Sequence, residues 1–101
     1  MDNTSNQADG VSIINVPDQL DISTSTLFKQ TLDEVISSSE KTELDFSKTE
    51  MVSSAGLRVL LQAEKVIQKS GKSMVLKNVS PEVMEVFEIT GVDKIFTILC
   101  E

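Results

Sequence analysis

The sequence predicts a single α/β domain built on a largely parallel sheet. Three observations carry that expectation. Short runs rich in β-branched residues alternate with longer stretches whose apolar residues recur at helical spacing. That alternation is the signature of strands joined by helical crossovers. The chain of 101 residues fits one domain. With 40% apolar residues it also has enough Val, Ile and Leu for one core.

The elements follow in order. Residues 1–10 are almost wholly polar and read as a flexible N-terminal tail or an edge strand, leaving 11–101 as the domain. Val11 to Val16 is a β-branched run stopped by Pro17, hence a strand. Leu20 and Ile22 lead into Ser23-Thr24-Ser25-Thr26, a cluster suited to a helix N-cap. Leu27, Phe28, Leu32, Val35 and Ile36 then form an apolar face, with Lys29, Gln30, Asp33 and Glu34 opposite, and the pattern stops at Ser37-Ser38-Ser39. Leu44-Asp45-Phe46 reads as a compact strand. After Val52 and Ser53-Ser54-Ala55-Gly56, a second helical pattern places Leu57, Leu60, Leu61, Val66 and Ile67 inward, Ala63 partly inward and Glu64 outward. Gly71 is placed to cap its end. Met74-Val75-Leu76 is a strand. Ser80-Pro81 opens a third helix with Val83, Val86, Phe87 and Thr90 on one face, and Gly91 closes it. Ile95 to Leu99 reads as a final buried strand.

Composition removes several classes of function. A formal net charge of -7 repels nucleic-acid phosphates and anionic membranes, so neither nucleic acid nor membrane insertion is expected. Histidine is absent, which closes Ser-His-Asp and Cys-His catalysis and removes the commonest zinc ligand. No phosphate-binding glycine loop, nucleophile elbow or dinucleotide fingerprint occurs, so no enzyme, cofactor or metal is expected. Met51, Met74 and Met84 read as core or partner-facing apolar surface. The one cysteine, Cys100, excludes an internal disulfide and reads as an inert thiol. A cytoplasmic monomer that forms complexes with other proteins is the resulting expectation.

The segment LDFSKTEMVSSAGLRVLL, from Leu44 to Leu61, is the most informative. A strand, a short loop and paired serines lead into an amphipathic helix. A helix start offers unpaired N–H groups and partial positive charge, a ready setting for phosphate. Ser53 or Ser54 can equally serve only as an N-cap, and Gly56 can merely ease packing. The residue pattern leaves both readings open.

Ser53-Ser54-Ala55-Gly56-Leu57, following Asp45, resembles the signature of the STAS family, in particular the anti-sigma factor antagonists. Asp18-Gln19-Leu20-Asp21, Gly71 to Leu76 and Ser80 to Val92 resemble further family segments in the same order, so the likeness runs from Val11 to the end. It implies the STAS fold: a small mixed, mostly parallel sheet of four or five strands packed with three or four helices. It also implies a regulatory function in a partner-switching pathway. The family's phosphorylated serine stands two residues before the glycine and falls on Ser54, with Ser53 as the alternative. The implied kinase is a serine kinase and anti-sigma factor of the histidine-kinase-like ATPase fold, opposed by a PP2C-type phosphatase. Asp21, Ser53, Ser54, Ala55, Gly56, Leu57 and Arg58 are the implied partner-binding residues, with Asp21 assisting the kinase reaction or serving only as a turn carboxylate. Asp45 reads as structural. The chain departs from the family where Ser53 replaces a common Asp, and where Asp18 and Arg58 replace common glycines. Arg58 is able to pair with a phosphate. Within the same fold, a STAS subunit of a lipid-transport ABC system is the alternative. An enzyme with Ser54 as nucleophile would need Lys65 or Lys69 as base.

Overall fold

The computed structural model describes residues 10–99. In chain order these form β1 (Val11–Asn15), β2 (Gln19–Leu20), α1 (Ile22–Ser38), β3 (Lys41–Asp45), β4 (Met51–Val52), α2 (Ser54–Ser70), β5 (Ser73–Lys77), α3 (Pro81–Thr90), a 3-10 turn (Val92–Lys94) and β6 (Thr97–Leu99). The α/β class and the helix-strand alternation follow the sequence reading. Two sheets are present among the described residues. One is four-stranded in the order β1-β3-β5-β6, the other is the pair β2-β4, and every pairing in both is parallel. The expected tail at residues 1–10 lies outside the described residues apart from Gly10, and Cys100 lies outside them entirely.

The register explains the core. Ile14, Leu44 and Leu76 lie side by side across β1, β3 and β5, and all three are buried. Phe28, Leu32, Val35 and Ile36 of α1 and Leu57, Leu60, Ala63 and Ile67 of α2 belong to the same core. Beneath α3, Phe87 meets Phe46 and Phe96 edge-on, at 6.1 and 5.7 Å between ring centroids. Edge-on geometry suits the aromatic quadrupole and adds to simple burial. Ser80 caps α3 by accepting the Val83 N–H, and Gly71 and Gly91 end α2 and α3 in left-handed conformation, as the sequence predicts.

Several expectations are corrected. The first helix begins at Ile22, not within Ser23 to Thr26, because Asp21 is the stronger cap. Its Oδ1 accepts the N–H groups of Ser23 and Thr24, and the Asp21 N–H donates to Thr24 Oγ1 at 3.0 Å, closing a capping box. Leu27 is 69% exposed, about a quarter turn around the helix from the stripe of Phe28, Leu32, Val35 and Ile36. Glu64 is buried, at 7% exposure, and Val66 is half exposed. Leu57, Leu60, Glu64 and Ile67 follow one another at intervals of three and four, so the carboxylate rides on the apolar stripe. Its Oε2 accepts from Gln68 Nε2 at 3.0 Å, while Oε1 has no hydrogen-bond partner among the described residues. Thr90 is exposed at the end of α3. The last strand is shorter than Ile95 to Leu99 and stands at a sheet edge, so Ile95 and Leu99 remain 47% and 42% exposed.

The loops after β1 and β3 are laced together. Buried Thr49 donates through Oγ1 to the Pro17 carbonyl at 2.9 Å, the Glu50 N–H donates to Asp18 O at 2.7 Å, and the Ser53 N–H donates to Leu20 O at 2.9 Å. The β2-β4 ladder sits within this lacing, pairing Leu20 with Val52. Each of its strands passes through one capping residue, Asp21 or Ser53, directly into a helix. Two helix starts therefore emerge side by side. Gly56 permits the approach: a Cβ there would stand 2.6 Å from Leu20 O and 2.8 Å from Leu20 Cγ.

Two predictions follow from this packing. Replacing Gly56 by Ala gains about 1 kcal/mol of helix propensity, but the clash falls on a backbone carbonyl that yields little, so overpacking costs the upper part of its usual range, about 2–3 kcal/mol. Gly56→Ala is expected to lower stability by about 1–2 kcal/mol in urea unfolding, and unchanged or raised stability contradicts the close approach. The second concerns acid. The Ser23 hydroxyl, with the Ser23 and Thr24 amides, holds the Asp21 carboxyl below its ordinary 3.8. Burial pushes Asp45 up, but hydrogen bonds from Asn78 and Ser47 outweigh it and leave that carboxyl low as well. Depressed carboxyls stabilise the fold above the ordinary value, and this stabilisation is lost as pH falls through the folded value. The double variant Asp21→Asn, Asp45→Asn is expected to lose less stability than the parent between about pH 6 and about pH 3; equally steep loss contradicts this assignment.

Candidate functional site

The two adjacent serines have different environments. Ser53 is the N-cap of α2 and is half-buried, with extended backbone at φ -88° and ψ 177°. Its N–H is fixed on Leu20 O, its carbonyl accepts from the Leu57 N–H at 2.9 Å, and its Oγ accepts from the Gly56 N–H at a long 3.4 Å. Ser54 is the first helical residue and is exposed, and its hydroxyl has no protein partner among the described residues. The capping and outward-facing positions that the sequence left open between two serines thus fall one to each. The N–H groups of Ser54 and Ala55 belong to the unbonded first turn.

The other expected site residues divide by burial. Arg58 is exposed; Asp21 and Ala55 are partly buried; Gly56 and Leu57 are buried. Gly56 and Leu57 shape the surface from beneath. Asp21 adjoins Ser53 across the ladder, since Leu20 pairs with Val52 and each strand continues by one residue. Its Oδ1 is engaged at the start of α1, the turn-type role that the sequence allowed. Arg58 is the fifth helical residue, beyond the first turn, where the helix dipole has largely faded.

Ser54, Leu57, Arg58, Leu61, Gln62 and Lys65 line a shallow groove of about 350 Å³ along α2. A larger open cleft of about 740 Å³ lies among Asp18, Ser47, Lys48, Thr49, Glu50, Ser80 and Glu82. Ser54 does not line it, and its three carboxylates make it a poor host for an anion. The charged residues of α2 are Arg58, Glu64, Lys65 and Lys69, and because Glu64 is buried the charge that α2 shows to solvent is wholly cationic. The charged residue type of Glu64, which led the sequence reading to place it outside, concealed this. Sequence reading also missed Ile22, exposed at 81% beside the start of α1, while Met51, read as core or partner-facing, is 39% exposed beside the start of α2. The signal for Ile22 was present: it directly follows the aspartate of an Asp21-x-x-Thr24 capping box, a position that need not face the core. Among the described residues no group of three or more potential ligands stands ready for a metal, and no helix is long and apolar enough to cross a membrane.

Comparison with known proteins agrees with this architecture. The family model described as "Mlab, STAS domain" matches residues 3–100. The anti-sigma F factor antagonist of Paenibacillus polymyxa is 31% identical over 91 residues, covering 88% of this chain and 78% of that protein. BtrV of Bordetella bronchiseptica, provisionally assigned as an anti-sigma factor antagonist, is 42% identical over 55 residues. That match spans 54% of this chain and 47% of BtrV, about half of each. A crystal structure from Thermotoga maritima, with the same provisional assignment, superposes with a TM-score of 0.83 at 28% identity, covering 93% of this chain and 82% of that one. With a family model matching nearly its whole length and a relative of this identity and coverage, the chain belongs to the STAS domain family.

Proposed function

We propose that the protein is an anti-sigma factor antagonist that acts by binding partners and is switched by phosphorylation of Ser54. The observation that carries this reading is the division of labour between the serines: Ser53 holds the helix start, while the Ser54 hydroxyl stands exposed on it. The names of the relatives support the antagonist assignment. A serine kinase of the histidine-kinase-like ATPase fold, itself the anti-sigma factor, transfers the terminal phosphoryl group of ATP to Ser54 Oγ. The hydroxyl proton is lost and ADP departs. A PP2C-type phosphatase hydrolyses the ester and restores the hydroxyl.

The modification adds about -1.5 to -2 charges at neutral pH. At Ser54 this charge meets free N–H groups and enters no packed interior, so the domain tolerates it. Its effect falls on the docking surface formed by Ser54, Arg58 and the partly buried Asp21, Ser53 and Ala55, supported by Gly56 and Leu57. A partner packed against an uncharged hydroxyl meets a poorly solvated dianion instead. A penalty of about 3 kcal/mol suffices for a more than hundredfold loss of affinity. Asp21 assists transfer through its position beside the serine loop.

A second reading keeps the surface and omits the modification: a STAS subunit docking within a lipid-transport ABC system. The matching family model carries the Mlab description and not an anti-sigma one, and that observation favours it.

Peptide mapping of the protein from its native cell decides between the two. The account expects one phosphate on Ser54, none in Ser54→Ala, and continued modification of Ser54 in Ser53→Ala, whose lost cap costs about 1 kcal/mol of stability. Phosphate on Ser53, or on neither serine, contradicts it. In a binding assay, the phosphorylated form is expected to hold the kinase at least about a hundredfold more weakly than the unmodified form.

A further inference from the structure

We propose that Arg58 is a built-in counter-ion for a phosphate on Ser54; this rests on the reading of Ser54 as the modified residue. Ser54 and Arg58 are four residues apart on α2, both are exposed, and both line the same shallow groove. Side chains at this spacing are neighbours on a helix, with Cβ atoms about 5–6 Å apart. A guanidinium reaching back one turn therefore meets a phosphoryl group on the serine. Its planar fork can give two parallel N–H bonds to two phosphate oxygens.

Arg58 is available for this. Among the described residues it has no ion pair, in a protein with 16 acidic and nine basic side chains. Its helix neighbours at three and four places on either side are Ser54, Ala55, Leu61 and Gln62, none of them acidic. The one acid of α2, Glu64, is buried and bonded to Gln68. On α1, by contrast, Lys29 takes Asp33 four residues on at 2.8 Å. The unmodified helix thus holds an arginine whose anion at this spacing is supplied only when Ser54 is modified. Lys65, along the same groove, adds a second positive charge.

The pairing gives the switch a second effect. Unmodified, the groove beside Leu57 and Leu61 has a rim carrying two positive charges, from Arg58 and Lys65. A phosphate dianion brings the rim close to neutral and draws the guanidinium toward Ser54. A partner that presents a carboxylate to Arg58 then loses its ion pair to an intramolecular competitor. Repulsion by the phosphate and removal of the cation act in the same direction.

The test installs phosphoserine at position 54 during translation of the full chain and follows its second ionisation by phosphorus NMR. Arg58 favours the dianion, so the phosphate of the parent is expected to titrate about half a pH unit, or threefold, below that of Arg58→Ala, with Arg58→Lys between them. The difference is expected to shrink in high salt. Circular dichroism on the unmodified chains checks that each variant folds, and Arg58→Gln replaces Arg58→Ala if the alanine variant does not. Identical titrations in the parent and the neutral variant overturn the clamp while leaving the functional reading intact. Absence of phosphate from Ser54 in native protein overturns that reading and does not alter the titration.

Discussion

The Ser53 N–H donates to the Leu20 carbonyl at 2.9 Å, and the geometry of the whole site depends on that bond and its surroundings. It continues a ladder only two residues long on each side, too small to be stable alone. The bonds of Thr49 to Pro17 and Glu50 to Asp18 reinforce it, and Gly56 lets α2 lie directly against Leu20. Two strands of the same ladder, each passing through a single capping residue into a helix, must deliver their helices side by side. The cost of crowding two positive helix ends is offset at α1 by the Asp21 carboxylate. The start of α2 has a neutral serine cap and no acid in its first turn.

That asymmetry links fold to function. A position whose backbone is fixed by neighbours, and whose hydroxyl has no hydrogen-bond partner among the described residues, can be modified without disturbing what lies beneath. Ser53 spends its hydroxyl on the helix start; Ser54, one residue later, does not. A phosphate dianion on Ser54, as proposed, would supply the charge that the start of α2 lacks. Burial of Glu64 extends the same theme, since it leaves Arg58, Lys65 and Lys69 as the charges that α2 shows to solvent.

The sequence made the framework legible because the framework rests on local signals. Ser80-Pro81, Gly71 and Gly91 each announce a helix end through the conformation of one residue. Val11 to Asn15 and Ser73 to Lys77 stand out as short β-branched or apolar runs. What escaped was tertiary. Glu64 reads as solvent-facing by residue type, but helix geometry fixes its direction and packing accommodates it. Leu27 reads as core by residue type, but it lies about a quarter turn around α1 from Phe28, off the buried stripe, and faces outward. The β2-β4 ladder is too short to leave a periodic trace, and Thr49, which ties its approach, looks like an ordinary loop residue until its bond to Pro17 is seen. At the site, the glycine and the serine pair were visible, whereas the assignment of cap to Ser53 and open surface to Ser54 needed the backbone.

Residue-resolved amide hydrogen exchange at Ser53, on the unmodified protein and on protein carrying phosphoserine at 54, tests the central claim most directly. If the short ladder is a rigid platform beneath a modifiable surface, that amide exchanges slowly and to the same extent in both forms. Exchange at the rate of an open loop in the unmodified protein, or protection lost on phosphorylation, would contradict the account.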